Sequence, residues 1–125
     1  LHVNDYADLC DALLNADDNL IADEIFNCGY ENKTIMDIAC DVQKIVSNRY
    51  PNRDKVKLKV SENDDKRSYH INSDKIFQKL GFAPKLSIKD AVSGLCNAFN
   101  DGLLPESLEN DNYFNLKIMK KFNTK

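Results

Sequence analysis

The run from Thr34 to Val46 constrains the fold of this chain more than any other stretch. Ile35, Ile38, Ala39, Val42, Ile45 and Val46 recur at the spacing of one helical face. Thr34 stands where an N-cap hydroxyl accepts a backbone N–H, and Asp37, three residues on, completes a capping box. Tyr50-Pro51-Asn52 ends the pattern, because proline has no N–H and its ring blocks a preceding helical turn. Before this helix, Glu24-Ile25-Phe26-Asn27-Cys28 is short, apolar and strand-like, and Gly29 closes it. After it, Val56, Leu58 and Val60 alternate with Lys55, Lys57 and Lys59, the pattern of a strand with one wet face. Strand, helix and strand in that order predict a β-α-β unit, with the two strands parallel if they share a sheet. The expected fold class is α/β: mostly helical, with a small parallel sheet.

Other elements follow from caps and spacing. A first helix fits Asp5 to Asn15, with Asn4 or Asp5 as its cap and an apolar stripe of Leu9, Cys10, Leu13 and Leu14. Ala16-Asp17-Asp18-Asn19 reads as an acidic turn. Ser61 to Ser68 is polar loop, and Tyr69 and Ile71 read as extended. Asn72 or Ser73 caps a short helix through Ile76 and Leu80, which Gly81 ends. Ser87 and Asp90 open a last strong helix with the face Ile88, Ala91, Val92, Leu95, Cys96 and Phe99, ending by Gly102. Beyond Pro105 the tail is polar but carries Tyr113, Phe114, Leu116, Ile118, Met119 and Phe122, so residues 105–125 are expected to wrap back onto a body.

At 125 residues the chain is one domain at most, with a modest core. A net charge of -3 argues against general nucleic-acid binding, which needs a basic face to neutralise phosphates. No apolar run approaches the roughly 20 residues of a membrane span, and no signal peptide is visible. The chain begins at Leu1, already inside a structured pattern, so a truncated or processed product is expected. Cys10, Cys28, Cys40 and Cys96 are widely spaced, with no Cys-x-x-Cys pair. They read as reduced, structural cysteines, which fits a cytoplasmic protein. His2 and His70 supply no close ligand pair for zinc.

Little reaction chemistry is present. Gly29, Gly81, Gly94 and Gly102 are isolated, so no phosphate loop is formed, and no Ser-His-Asp or Cys-His order is suggested. The pairs Asp17-Asp18 and Asp64-Asp65 sit in loops. Ligand holding remains. Arg67 can make a bidentate, charge-assisted pair with a diphosphate, and Tyr69 can add a hydroxyl contact or a stacking face. The competing reading pairs Arg67 with Asp64 or Asp65 and makes Tyr69 a core aromatic.

Several segments, in order, resemble a known family. Leu1-His2-Val3-Asn4-Asp5-Tyr6-Ala7 is similar to a His-Val-x-Asp-x-Ala stretch. Glu24-Ile25-Phe26-Asn27-Cys28-Gly29 is similar to a Phe-Asn-x-Gly strand, with Thr34-Ile35 at the helix start after it. Asn72-Ser73-Asp74-Lys75-Ile76, then Leu80-Gly81-Phe82-Ala83-Pro84, resembles an Asp-x-Ser-Lys and Leu-Gly-Trp/Phe-x-Pro signature, followed by the helix from Ser87 to Leu95. These are features of the extended short-chain dehydrogenase/reductase family, the NAD-dependent epimerases and dehydratases. The resemblance covers residues 1–104 and implies the C-terminal lobe of a Rossmann-type enzyme, the part that holds the nucleoside diphosphate of a nucleotide sugar. It implies substrate-binding roles for Arg67, Tyr69 and Asp65, and no catalytic residue. NAD or NADP, the glycine fingerprint and a catalytic Tyr-x-x-x-Lys pair would belong to a Rossmann domain preceding residue 1, the partner this segment lacks. A homo-oligomer is a further expected association. Many members have Arg-x-Gly-Asp where this chain has Glu62-Asn63-Asp64-Asp65, so either the anion role passes to Arg67 or the ligand sits differently. The alternative from another class is a free-standing interaction module of the same fold without activity.

Overall fold

Thr34 and Asp37 form the capping box that their spacing dictates. Thr34 Oγ1 accepts the Asp37 N–H at 3.1 Å, and the Asp37 carboxylate accepts the Thr34 N–H at 3.3 Å. Two donors that a helix start leaves unpaired are thus met reciprocally. The computed structural model describes residues 1–61 and 69–122. In chain order its helices are α1 (Val3–Leu14), α2 (Asp18–Ile21), α3 (Ile35–Arg49), α4 (Asp74–Leu80), α5 (Ile88–Asn100) and α6 (Asn115–Phe122), with a 3-10 turn at Asp111–Tyr113 before the last. The chain divides into two compact units, Leu1–Gly94 and Leu95–Lys125.

The parallel sheet is not there. No residue among those described is in a strand, so the expected α/β fold with a β-α-β unit gives way to a mostly helical one. The physical reason lies in where the backbone groups go. A strand exists only when a neighbour takes up its N–H and C=O groups. In the first candidate segment, Ile25 C=O accepts from Lys75 Nζ at 2.8 Å, and both backbone groups of Gly29 are met by Ser73 Oγ. In the second, Val56 C=O accepts from Gln43 Nε2 of α3 at 2.7 Å. Side chains occupy sites that a second strand needs. Period two survives in the burial of the first segment: Glu24, Phe26 and Cys28 are half-buried, while Ile25 and Asn27 are exposed. In the second segment only Val56 is even half-buried, so alternation there has no face to serve.

The starts of α1, α3, α4 and α5 follow the sequence with one change, at α1. The cap of α1 is His2, whose Nδ1 accepts the Asn4 N–H at 3.1 Å, in place of Asn4 or Asp5. Ser73 is the N-cap residue of α4 but makes no capping bond of its own. Asn72 Oδ1 accepts the Asp74 N–H at 2.8 Å, two residues on. The acidic turn after α1 leads into the four-residue α2. At the other ends, Gly81 takes φ 65° after α4 and Gly102 takes φ 68° after α5. These are left-handed positions that only glycine adopts without a steric penalty. The end of α5 is a Schellman arrangement, with Leu103 N–H donating to Ala98 C=O at 2.9 Å and Gly102 N–H to Phe99 C=O at 3.3 Å.

The core is small. Leu9 of α1, Ile76 of α4, and Val92 and Cys96 of α5 are the buried apolar residues among those described, and Ile76 is fully enclosed. Val92 and Cys96 lie one turn apart, as the stripe on α5 predicts, but Leu95 and Phe99 of that stripe remain more than half exposed. All four cysteines are free; Cys96 is buried and Cys40 is exposed. In the second unit the tail is ordered by charge. Asp111 accepts from Lys117 and Lys121 of α6, each at 2.9 Å. Lys117 foremost, then Lys121, holds the Asp111 carboxyl below its ordinary range. Among the described residues no helix is long and apolar enough to cross a membrane.

Candidate ligand-holding site

Two short polar side chains hold the segment that carries Tyr69. Asn32, in the loop between Gly29 and the Thr34 cap, faces the Ile71 backbone with both ends of its carboxamide. Its Nδ2 donates to Ile71 C=O and its Oδ1 accepts the Ile71 N–H, each at 2.9 Å. A carboxamide has the donor and acceptor of a peptide unit, so Asn32 stands where one residue of a neighbouring strand would otherwise pair. Two residues on, Ser73 Oγ accepts the Gly29 N–H at 2.8 Å and donates to Gly29 C=O at 3.0 Å. Between these clamps Gly29 lies beside the Ile71 side chain, whose Cγ2 would stand 3.4 Å from an added Cβ.

Charges reinforce the same junction. Glu24 binds Lys75 at 2.6 Å and also Lys79, both on α4. The Lys75 hydrogen bond, then that of Lys79, holds the Glu24 carboxyl down at about 2. Lys75 also lies 5.2 Å from the centre of the Phe26 ring. On the far side of Asn32, Glu31 accepts the Ile88 N–H at 2.7 Å, satisfying a free donor at the start of α5. That backbone bond is the main reason its carboxyl lies below the ordinary range. Lys33 then ties Glu31, at 3.1 Å, to Asp41 of α3, at 2.6 Å. Its ammonium pKa is raised, chiefly by Asp41.

The first motif meets the fourth through one buried acid. Asp5, 2% exposed, accepts the N–H groups of Lys85 and Leu86 at 3.1 and 2.9 Å, just past Leu80-Gly81-Phe82-Ala83-Pro84. Beside the Gly29–Ser73 clamp opens a cleft of about 280 Å³, with Tyr30, Phe77 and Phe82 as its aromatic lining and Asp74 as its carboxylate.

Of the three residues expected to bind substrate, Tyr69 is on the surface, 75% exposed, two residues from the Asn32 clamp. Its exposure removes the reading of Tyr69 as a core aromatic. Arg67 and Asp65 lie outside the described residues. Asn32, Glu31 and the second role of Ser73 were not legible in the sequence, because their partners are remote in the chain and no periodicity marks them. No family model, no curated protein and no solved structure matches this chain.

Proposed function

We propose that this chain is the nucleotide-sugar-binding C-terminal region of an NAD-dependent epimerase/dehydratase of the extended short-chain dehydrogenase/reductase type. One observation carries the reading. Segments that resemble the family in sequence are tied to one another by side chains belonging to those same segments. Asp5 joins residues 1–7 to the Lys85-Leu86 backbone that follows Leu80-Gly81-Phe82-Ala83-Pro84. Ser73 and Lys75 join the Asp74–Leu80 helix to Gly29 and to Glu24 and Ile25.

On this reading Arg67, Tyr69 and Asp65 hold the nucleoside diphosphate, the guanidinium by a two-point bond to phosphate and Tyr69 by its exposed hydroxyl or ring. The residues here do not make a seat for NAD or NADP. A dinucleotide pyrophosphate sits on a glycine-rich turn that opens a helix. Gly81 and Gly102 instead follow helix ends, Gly94 lies inside α5, and Gly29 packs against Ile71. On this reading the cofactor and the catalytic pair sit in another part of the enzyme.

The test has two arms. The coding sequence before Leu1 should carry a glycine-rich fingerprint followed by Tyr-x-x-x-Lys. In the full encoded protein, calorimetry with nucleoside diphosphate sugars should show Arg67→Ala weakening binding by roughly ten- to a hundredfold, the worth of a charge-assisted bond. Arg67→Lys should recover part of that loss, because the charge stays and the fork goes. Tyr69→Phe should cost less, about 0.5–1.5 kcal/mol. Affinity unchanged in Arg67→Ala overturns the assignment.

A further inference from the structure

We propose that the cleft beside the Gly29–Ser73 clamp binds a methylated ammonium group, held by the rings of Tyr30, Phe77 and Phe82 with Asp74 as its counter-charge. The site is independent of the nucleotide-sugar reading, and all of it lies in the first compact unit. Its volume of about 280 Å³ suits a headgroup, at the small end of ligand pockets. Each of the three rings stands next to a fixed point of the backbone. Tyr30 follows Gly29, whose N–H and C=O are both bonded by Ser73 Oγ. Phe77 is one turn past Ser73: its N–H donates to Ser73 C=O at 3.3 Å, and its C=O accepts the Gly81 N–H at 2.8 Å. Phe82 comes directly after Gly81, where φ is 65°. Tyr30 and Phe77 are at least half exposed, so the core leaves much of both rings accessible.

Charge decides the class of ligand. Aromatic rings attract cations, and among the described residues Asp74 is the charged residue that lines the cleft. The two lysines of α4, Lys75 and Lys79, are both bound to Glu24 and do not offset it. Phe82 also borders a second cleft, whose charged lining is Asp5, Asp8 and Asp11 against Lys85, so the surroundings are negative too. A phosphate or carboxylate ligand meets repulsion here. Hydrogen bonding narrows the choice further. Ser73 Oγ is engaged by Gly29 as donor and acceptor, and Asp74 already accepts the Asn72 amide at 2.8 Å. A primary ammonium brings three donors and a guanidinium five, for which this lining has few free acceptors. A methylated ammonium brings charge and apolar surface with few or no donors, the chemistry that aromatic cages take.

The test titrates the full encoded protein with choline and follows the ring protons of Tyr30, Phe77 and Phe82 by NMR. Choline should shift all three rings, with Kd on the order of 1 mM. Its neutral isostere, in which a tert-butyl group replaces the trimethylammonium, should bind at least about tenfold more weakly, because it keeps the shape and loses the charge. Phe77→Leu should weaken choline roughly two- to fivefold, the worth of one exposed ring contact, with the melting temperature little changed. Tyr30→Phe keeps its ring and should bind as before. Asp74→Asn should weaken choline and reduce the salt dependence of its binding. A peptide bearing trimethyllysine identifies the source of the group: tighter binding than choline assigns a protein side chain, equal or weaker binding a small molecule, and the proposal stands in both. An isostere that binds as tightly as choline makes this a merely apolar cleft and overturns the proposal. So does a folded spectrum that choline leaves unshifted at tens of millimolar, or uridine shifting these rings where choline does not.

Discussion

At the scale of single residues, Asp5 shows how far a side chain's task can lie from its local signal. Beside a helix start an aspartate reads as a cap, yet Asp5 is buried and gives both oxygens to a backbone 80 residues away. Removing it strands two N–H groups, and each unsatisfied donor costs about 1–3 kcal/mol when buried. Asp5→Ala should therefore lower the urea midpoint clearly. Asp5→Asn should lose less, because one oxygen remains to accept; equal midpoints for the unsubstituted protein and Asp5→Ala would remove this clamp from the fold's support. Pairs three residues apart, such as Thr34–Asp37 and Ser87–Asp90, were legible in advance because helix geometry alone brings them together. The partners of Asp5, Asn32 and Glu31 were not, since only the completed chain path sets them side by side.

Among the elements, helices α1, α3, α4 and α5 were readable, while α2, α6 and the fate of the two strand-like segments were not. A helix satisfies its own backbone, so caps and a 3.6-residue period nearly suffice to place α3 and α5. A strand depends on a neighbour, and here side chains bond the backbone of Ile25, Gly29 and Val56: Lys75, Ser73 and Gln43 respectively. Two substitutions test the ends of helices. Thr34→Ala should cost about 1 kcal/mol through the lost cap, and Thr34→Ser almost nothing. At Gly81, φ is 65° with open space around an added Cβ, so Gly81→Ala should cost about 1–2 kcal/mol from backbone strain alone. Denaturation midpoints measure both, and an unchanged midpoint in Gly81→Ala would show that the left-handed turn does not limit stability.

For the whole molecule, the lowered carboxyls set the direction of its acid response. Glu24 is drawn from its ordinary 4.5 to about 2 by Lys75 and Lys79. A depressed folded pKa means that the stability it brings is present above about 4.5 and is lost as pH falls toward 2. Asp41 and Asp111, lowered chiefly by Lys33 and Lys117, add in the same sense. Melting temperature should thus fall on acidification. Glu24→Gln should flatten that fall, and high salt should weaken it, since these pairs are solvent-screened; a Glu24→Gln profile parallel to the unsubstituted one would count against the Glu24–lysine junction. The small core has its own consequence. Val3, Leu14, Ile25 and Ile35 are each at least 72% exposed. Apolar surface on that scale favours association. Sedimentation of the isolated 125-residue chain should show mass rising with concentration, whereas a monomer at all concentrations would mark an autonomous module.

By itself the sequence determined what depends on near neighbours: the caps at Thr34 and Ser87, the helical stripes, and the glycine stops after α4 and α5. Tertiary structure decided whether the apolar alternation of Glu24–Cys28 and Val56–Val60 became a sheet, which acid became a cap and which a long-range clamp, and that Asn32 and Ser73 would hold the Tyr69 segment. The division has one cause. Local hydrogen bonds are fixed by covalent spacing, while pairing between distant segments depends on which of several competing donors and acceptors the fold brings within reach of each backbone group.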